Sequence, residues 1–571
     1  MGRTTVLPAG TVPRRLGRLS ETEHRVWRAF PRGELVDLRT GDPEADDPER
    51  ADVWTADRTV RAEVIAALLL GACSASAGAV AAVRVAGARV TGELRVDHGR
   101  VSSLLQLRQC RFDAAVDLEG AVTESVDLSG SRLLRLSAYG AHIRGTLDLR
   151  DTVVAGPGRS VHADGLRVDG SLFASRTRVA GSFCLINAQI TGQVTLADAV
   201  IGHANTSGKS LNAGGMHVGR SLLAQRLRTH GELRLPGARI GSSLLLAGAT
   251  LDGLGDTALY GDALTVAGDT RLWPDGSRDG RPFSARGQIR VPGAKFGNGL
   301  DLSGAHLEPA PGRAVALHAM RMTVDSALKL GDGFRADGEV HLTGSRITGH
   351  LDLVGMASPD AYLSVYSVTV DGGIRDEPGC WPKRLNLDGL KYGPFSDYRD
   401  ARERLDLIRR QVTRSDSTVT GGFRAQPYEQ LAAYYRSLGI DGEARTVLLA
   451  KQRAQRARLP WWRRVPGHLL DVLVGYGYRP LRAIGWAAVL LVAGSAYFDQ
   501  VRPQHVATDD TSSFNPVLYT ADHLIPVIRF GEPDVWQYHG VPEAVTVVLT
   551  VLGWTLGIAI AAAASRTLTR N

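Results

Sequence analysis

A hydrophobic unit of about eleven residues recurs from Val90 to Asp376, and its short fixed step signals a stacked architecture. Clear copies are Val168-Asp169-Gly170-Ser171-Leu172-Phe173-Ala174, Val179-Ala180-Gly181-Ser182-Phe183-Cys184-Leu185 and Ile190-Thr191-Gly192-Gln193-Val194-Thr195-Leu196. Aligned on one central position, the copies fall at 92, 103, 114, 124, 134, 145, then 170, 181, 192, then 220, 231, 242, then 287, 298, and finally 338, 349. Within a copy the apolar residues alternate with period two, which means strands, and Gly237, Gly241 and Gly344 mark turns between them. Three inward side chains contribute roughly 1.5 to 3 kcal/mol each, whereas ordering eleven residues costs about 1 to 2 kcal/mol per residue. No unit folds alone. Successive strands must share backbone hydrogen bonds and one apolar interior, so the expected class is mainly β, a β-helix or β-solenoid of short repeats, with a globular β-sandwich, which would not require so regular a step, as the alternative. The spacing leaves open whether two or three units complete one coil. Longer excursions at Gly202 to Asn212, Gly253 to Asp262 and Pro274 to Pro282 read as loops projecting from the stack.

The repeats divide the chain. Residues 1–80 form a lead-in with a capping helix, Asp57 capping a run from Thr59 to Leu70 that stops at Gly71. Residues 81–394 are the solenoid and residues 395–465 a helical region. There Ser396 caps a helix through Tyr398, Ala401, Leu405, Ile408 and Val412, and a hairpin follows, Pro427 to Ser437 and Asp441 to Arg456. Helical caps at both ends favour a finite rod over an open filament.

Residues 466–571 read as a membrane domain. Ala544 to Ala564 is uncharged for 21 residues, about 32 Å of helix and enough for a bilayer core. Ala483 to Phe498 is shorter, and extending it to Leu481 lets it span if Arg482 snorkels. The expected spans are thus about 481–498 and 544–564. Basic residues set the orientation. Lys451, Arg453, Arg456, Arg458, Arg463, Arg464, Arg479 and Arg482 precede the first span and Arg566 and Arg570 follow the second, whereas the loop from Asp499 to Glu543 holds only Arg502 and Arg529. The positive-inside rule then places both termini in the cytoplasm, a multi-pass arrangement in the inner membrane. With Trp461 and Trp462, the basic stripe is a candidate surface for anionic headgroups; its plainer meaning is topology alone.

Charge and cysteines narrow the rest. The net charge of +8 comes with arginine scattered along the whole chain, so no nucleic-acid footprint is expected. Four distant cysteines with no CxxC pattern argue against a disulfide framework or a zinc site. The box Leu68-Leu69-Leu70-Gly71-Ala72-Cys73 imitates a lipoprotein signal but lies some seventy residues in, behind Arg58, Arg61 and Glu63. A buried small side chain is the plainer reading of Cys73.

Motifs with chemical meaning are sparse. His203 to Ser210 ends like a P-loop but lacks the glycine five positions before Gly208 and the helix that must follow. Gly253-Leu254-Gly255-Asp256-Thr257-Ala258 matches a loose dinucleotide fingerprint and is followed by strand. Gly475-Tyr476-Gly477-Tyr478 imitates a potassium-channel filter, yet it precedes the first span. The acidic run Thr40 to Glu49 reads as a solvated loop, with a cation site as the sharper alternative. His142, His217, His230 and His350 occupy similar places in their repeats and are candidates to line one outer face, as solvated positions before metal ligands. No catalytic, cofactor or metal residue is assigned, and any cofactor is unknown.

Phe30-Pro31-Arg32-Gly33-Glu34, Arg58-Thr59-Val60-Arg61-Ala62-Glu63-Val64-Ile65, Gln426-Pro427-Tyr428-Glu429-Gln430-Leu431 and Gly475-Tyr476-Gly477-Tyr478-Arg479-Pro480, with the repeated Gly-Ala-Arg-Ile/Val forms, resemble a bacterial family labelled membrane-associated oxidoreductase. The resemblance covers nearly the whole chain and implies a lead-in, a long repeat region and paired C-terminal membrane helices. It carries over no catalytic residue. The repeats also resemble pentapeptide-repeat and bactofilin solenoids, from whose strict five the step of ten or eleven departs. The functional expectation is a membrane-anchored cytoplasmic scaffold for protein partners, with a membrane-associated redox enzyme as the alternative.

Overall fold

In a computed structural model the described residues are 12–202, 208–276, 280–411, 423–457, 480–501, 504–505, 513–525, 528, 530 and 536–568. They separate into two compact units, one of residues 1–398 with 407–414, the other of 399–406 with 415–571.

The first unit is mainly β, built of many short strands in three parallel sheets, here A, B and C, of 14, 23 and 12 strands. The chain visits them in a fixed order. Leu104–Arg108 lies in sheet A, Arg111–Phe112 and Val116–Asp117 in two successive columns of sheet B, and Val122–Thr123 in sheet C; Val126–Asp127 then returns to sheet A beside Leu105–Gln106. Each circuit therefore has four sides. The two columns of B join where Thr250–Tyr260 and Ser284–Arg290 run continuously through both.

The eleven-residue unit resolves into two such sides. From Val116 to Ile143 the buried side chains come in pairs five residues apart: Val116 and Leu118, Ala121 and Thr123, Val126 and Leu128, Ser131 and Leu133, Leu136 and Ala138, Ala141 and Ile143. The strict five that the sequence seemed to lack is present over this stretch, and one extra residue before Leu147 produces the longer step. Two units complete one circuit, because the repeat centres alternate between two corners. Glu124, Gly145, Gly170 and Gly192 turn from sheet C to A, while Ala114, Leu134 and Gly181 lie between the two columns of B.

Crowding explains the glycines at the first of these corners. The Gly170 amide donates to the Gly145 carbonyl at 2.9 Å, and that of Gly192 to Gly170 at 2.7 Å. A Cβ on Gly170 would lie 2.5 Å from the Gly145 oxygen, and one on Gly192 2.6 Å from the Gly170 oxygen. Backbone cannot retreat without breaking the ladder. Inside another corner, buried hydroxyls bond one circuit back: Ser131 donates to Leu107 O, Thr152 to Leu128 O and Thr177 to Leu149 O at 2.7 to 3.0 Å. Their polarity is satisfied where an apolar neighbour would leave a carbonyl one donor short.

The lead-in is part of this body. Leu35–Asp37 pairs with Ala82–Ala86 in sheet A, and Thr59–Arg61 with Arg89–Thr91 in sheet B. The helix expected from Thr59 is corrected accordingly: its first residues are strand, and α2 runs Ala62–Leu69, with all but Glu63 buried. The preceding α1, Glu21–Ala29, starts at a capping box in which Ser20 and Glu23 exchange hydrogen bonds. The acidic run winds round a buried ion pair. Asp46 accepts from Thr40 N at 2.9 Å, Gly41 N at 2.8 Å and Arg58 Nη1 at 3.0 Å, and Arg58 lies 3.8 Å over the Trp54 ring. Burial opposes ionisation of Asp46, yet these hydrogen bonds and the Arg58 charge outweigh it and hold the carboxyl below its ordinary value. Glu23, also buried, is lowered against the same penalty by Arg61, Ser20 and the Arg61 amide.

Two expected loops are placed differently. Gly253 to Asp262 leaves the stack only in part: Thr250–Tyr260 is one strand whose register slips between Asp252 and Thr257, so that Leu254, Gly255 and Asp256 bulge outward and exposed while the rest stays in the ladder. Of Gly202 to Asn212, Lys209–Asn212 is a strand beside Ser182–Cys184 and Glu232–Arg234; residues 203–207 lie outside the described residues.

The helix expected from Ser396 begins later, as α3, Ala401–Arg409. In the second unit α4, Gln426–Ser437, and α5, Asp441–Arg456, form a hairpin. Beyond it, α6, Pro480–Gln500, packs with α7, Pro516–Leu524, and α8, Val541–Leu568, around Phe498, Tyr519, Tyr538 and Leu549. Gly494 and Gly553 allow the approach, since a Cβ would meet Thr520 at 2.6 Å in one case and the Leu524 carbonyl at 2.4 Å in the other. Among the described residues one helix is long and apolar enough to cross a membrane: the Val541–Ile558 part of α8, with mean hydropathy 1.7.

Two outcomes check this packing. Gly170→Val should cost about 1–3 kcal/mol as overpacking against backbone, read by thermal or denaturant unfolding, while Gly276→Ala, with open space at its Cβ, should be silent. Because Glu23 and Asp46 have depressed folded-state values, their stabilisation is complete above the ordinary carboxylate range near 4 and is lost as pH falls through the folded values. Glu23→Gln should therefore melt lower than wild type at pH 7, with the difference shrinking on acidification.

Candidate functional site

The corner between sheet A and the first column of B carries a concentration of positive charge. From Gln109 (φ 49°) to Gly248 each circuit places one residue of this corner in the left-handed region, and glycine is the inexpensive choice, as at Gly130 and Gly248. Between those two glycines, four successive circuits place charged residues there instead: Asp151 (φ 59°), Arg176 (57°), Asp198 (58°) and Arg226 (53°). They pair along the stack. Arg176 grips Asp151 through Nε and Nη2 at 2.6 and 2.7 Å, and Arg226 grips Asp198 at the same two distances. Hydrogen bonding by Arg226, with added charge from Arg226, Arg176 and Arg281, holds Asp198 below the usual carboxylate range.

Beside this row runs the strand column Val153, Arg178, Val200, Arg228, each in register with the next. Arg281 comes from the Pro274 to Pro282 excursion, which Asp275 closes by accepting the Arg281 amide at 2.9 Å. Together these residues line a groove of about 420 Å³, with five arginines against two aspartates. Asp275, buried behind it, is 4.0 Å from Arg226. Among the described residues no carboxylate lies within ion-pair distance of Arg178, Arg228 or Arg281, and all three are exposed. The groove can hold an anion by forked hydrogen bonds from several guanidinium groups.

A second cluster has the donor types of a metal site. His306 Nε2 lies 3.0 Å from Asp337 and 3.9 Å from Glu308. Its carboxylates are also engaged by arginines, Arg335 at 2.8 Å on Asp337 and Arg286 at 3.5 Å on Glu308. The same construction occurs in sheet C, where His142 lies 2.8 Å from Asp169 and Arg167 lies 3.2 Å from it. In both places the histidine is in register with an arginine, and the aspartate stands two residues further on. A cross-strand histidine–aspartate contact that the stacking generates twice accounts for the cluster without a metal.

The histidines proposed for one face do not share it. His142 and His217 lie in sheet C, His230 in B and His350 in A. The dinucleotide-like glycines form the bulge in Thr250–Tyr260, and Gly208 leads into strand. All four cysteines are buried thiols, none in a disulfide, and burial pushes Cys110 up to about 12. Of the proposed membrane-surface residues, Lys451, Arg453 and Arg456 lie on α5, where the Lys451 ammonium contacts the Glu429 carboxylate. Arg458, Trp461, Trp462, Arg463, Arg464 and Arg479, with the Gly475 to Tyr478 run, lie outside the described residues, as does the side chain of Arg482. Sequence reasoning missed the groove altogether. Comparison of the chain with protein-family models, curated proteins and solved structures gave no match.

If Arg176 and Arg226 were kept for stability, replacing them would be costly. An exposed ion pair is worth about 0–1 kcal/mol and a left-handed non-glycine residue costs about as much. Arg176→Gly and Arg226→Gly should leave the unfolding free energy within about 1 kcal/mol of wild type, measured by denaturant titration; a larger loss would make the two arginines structural.

Proposed function

We propose that this chain is a membrane-anchored β-solenoid that works as an interaction platform for protein partners. The observation that carries the reading is the apolar exterior of two neighbouring helices. On α8 the exposed side chains are Val547, Val548, Val551, Trp554 and Ile558; on α6 they are Ile484, Trp486, Val489 and Val492. Apolar surface of this extent has no favourable place in water and a natural one in lipid. Helix α6 has 21 residues, about 32 Å at the helical rise, so length also favours two spans. The aromatic cluster of Phe498, Tyr519, Tyr538 and neighbouring Trp536 would pack at the outer end of the pair.

The arginine and lysine bias on either side of these helices supports cytoplasmic termini, and hence a repeat body on the cytoplasmic face of a bacterial inner membrane. There the tether raises the local concentration of the platform, and parallel ladders keep its side chains in fixed columns. Membership of the family labelled membrane-associated oxidoreductase fits the same layout; a redox activity needs a bound cofactor, which absorption spectroscopy of the detergent-solubilised protein detects at stoichiometric amounts.

Reporter fusions test the topology. A reporter active only in the cytoplasm should work when fused after Asn571 and fail when inserted in the segment between Gln500 and Val541. Reversed activities, or activity at both places, would refute two spans with both ends inside.

A further inference from the structure

We propose that the arginine groove is a binding site for a small phosphate-bearing anion. Three observations converge, all independent of the membrane reading. The first is unspent charge: Arg176 and Arg226 are satisfied by Asp151 and Asp198, while Arg178, Arg228 and Arg281 face the same space without a carboxylate partner among the described residues. Three such guanidinium groups match a ligand of two or three negative charges, the charge of a phosphomonoester or a diphosphate.

The second is backbone cost. Four consecutive circuits hold non-glycine residues in the left-handed region at a corner where flanking circuits use glycine. Strain kept in a row, at a groove, points to side chains retained for a task. Here that task is orientation: each aspartate fixes an arginine through both carboxylate oxygens, so Arg176 and Arg226 form a fixed rim beside the freer Arg178 and Arg228.

The third is shape and spacing. A groove of about 420 Å³ exceeds a lone phosphate and falls in the range that takes small organic ligands. Arg178 and Arg228 are separated by the strand of Val200, hence by two ladder steps or about 9.6 Å. Val200 between Arg178 and Arg228, and Val153 on the other side of Arg178, offer an apolar floor. A phosphate held by these guanidinium groups, with any less polar remainder of the ligand over the valines, would meet both. Because a lipid headgroup and a free metabolite present the same phosphate, the site is defined by that group.

Full-length detergent-solubilised protein is titrated calorimetrically at low salt with pyrophosphate, and in parallel with dihexanoyl phosphatidic acid and dihexanoyl phosphatidylcholine below their micellar concentrations. Wild type should bind pyrophosphate or the phosphatidic acid, and not the choline lipid. Arg178→Gln with Arg228→Gln, and separately Arg281→Gln, should weaken that binding about tenfold or more at an unchanged melting temperature. Arg384→Gln, remote on the second column of sheet B, should not. Binding of phosphatidic acid without pyrophosphate supports the site with a headgroup as its source. Absence of binding to both phosphate probes, or binding that survives the groove substitutions, overturns the proposal.

Discussion

Parallel backbone pairing between one circuit and the next is the interaction on which the rest of the first unit depends. Each two-residue strand is too short to persist alone, and each side buries only a pair of side chains. Stacking makes both sufficient, since every added circuit extends three sheets and lengthens one apolar interior. The sequence pattern follows from that demand. Glycine stands at Gly170 and Gly192 because the carbonyl of the preceding circuit occupies the space of a Cβ, and Ser131, Thr152 and Thr177 bond inside the corners because carbonyls there need donors.

The same pairing places the outward side chains in columns and thereby decides which charges meet. His142 with Asp169 and His306 with Asp337 are two instances of one geometry, a diagonal contact across a ladder step. The arginine groove arises where two columns run side by side and positive charge exceeds negative.

Much of this architecture was legible, because inward residues repeat at a short step that needs no knowledge of contacts. The number of sides was not. Leu147, Leu172, Val194 and Leu222 occupy one sheet, yet their spacings of 25, 22 and 28 residues differ, so circuits align only once register is known. The groove was hidden for the same reason: Asp151, Arg176, Asp198 and Arg226 look unrelated along the chain and adjoin only through the ladder. Helix α1 had a readable signal in Ser20 and Glu23, three residues apart ahead of Val26 and Trp27. The strand Thr250–Tyr260 was obscured by Gly253 and Gly255, which mark a bulge as readily as a loop.

Every column of side chains requires that the circuits stack in parallel register. That register is tested most directly by a distance along one column. Gln189 and Lys391, both exposed in sheet C, are separated by eight ladder steps, or about 38 Å at the spacing of paired strands. Spin labels at these two sites in the full-length protein should give a narrow pulsed-EPR distance distribution centred near that value. A distribution centred well below 30 Å, or one without a defined maximum, would contradict the stacked arrangement.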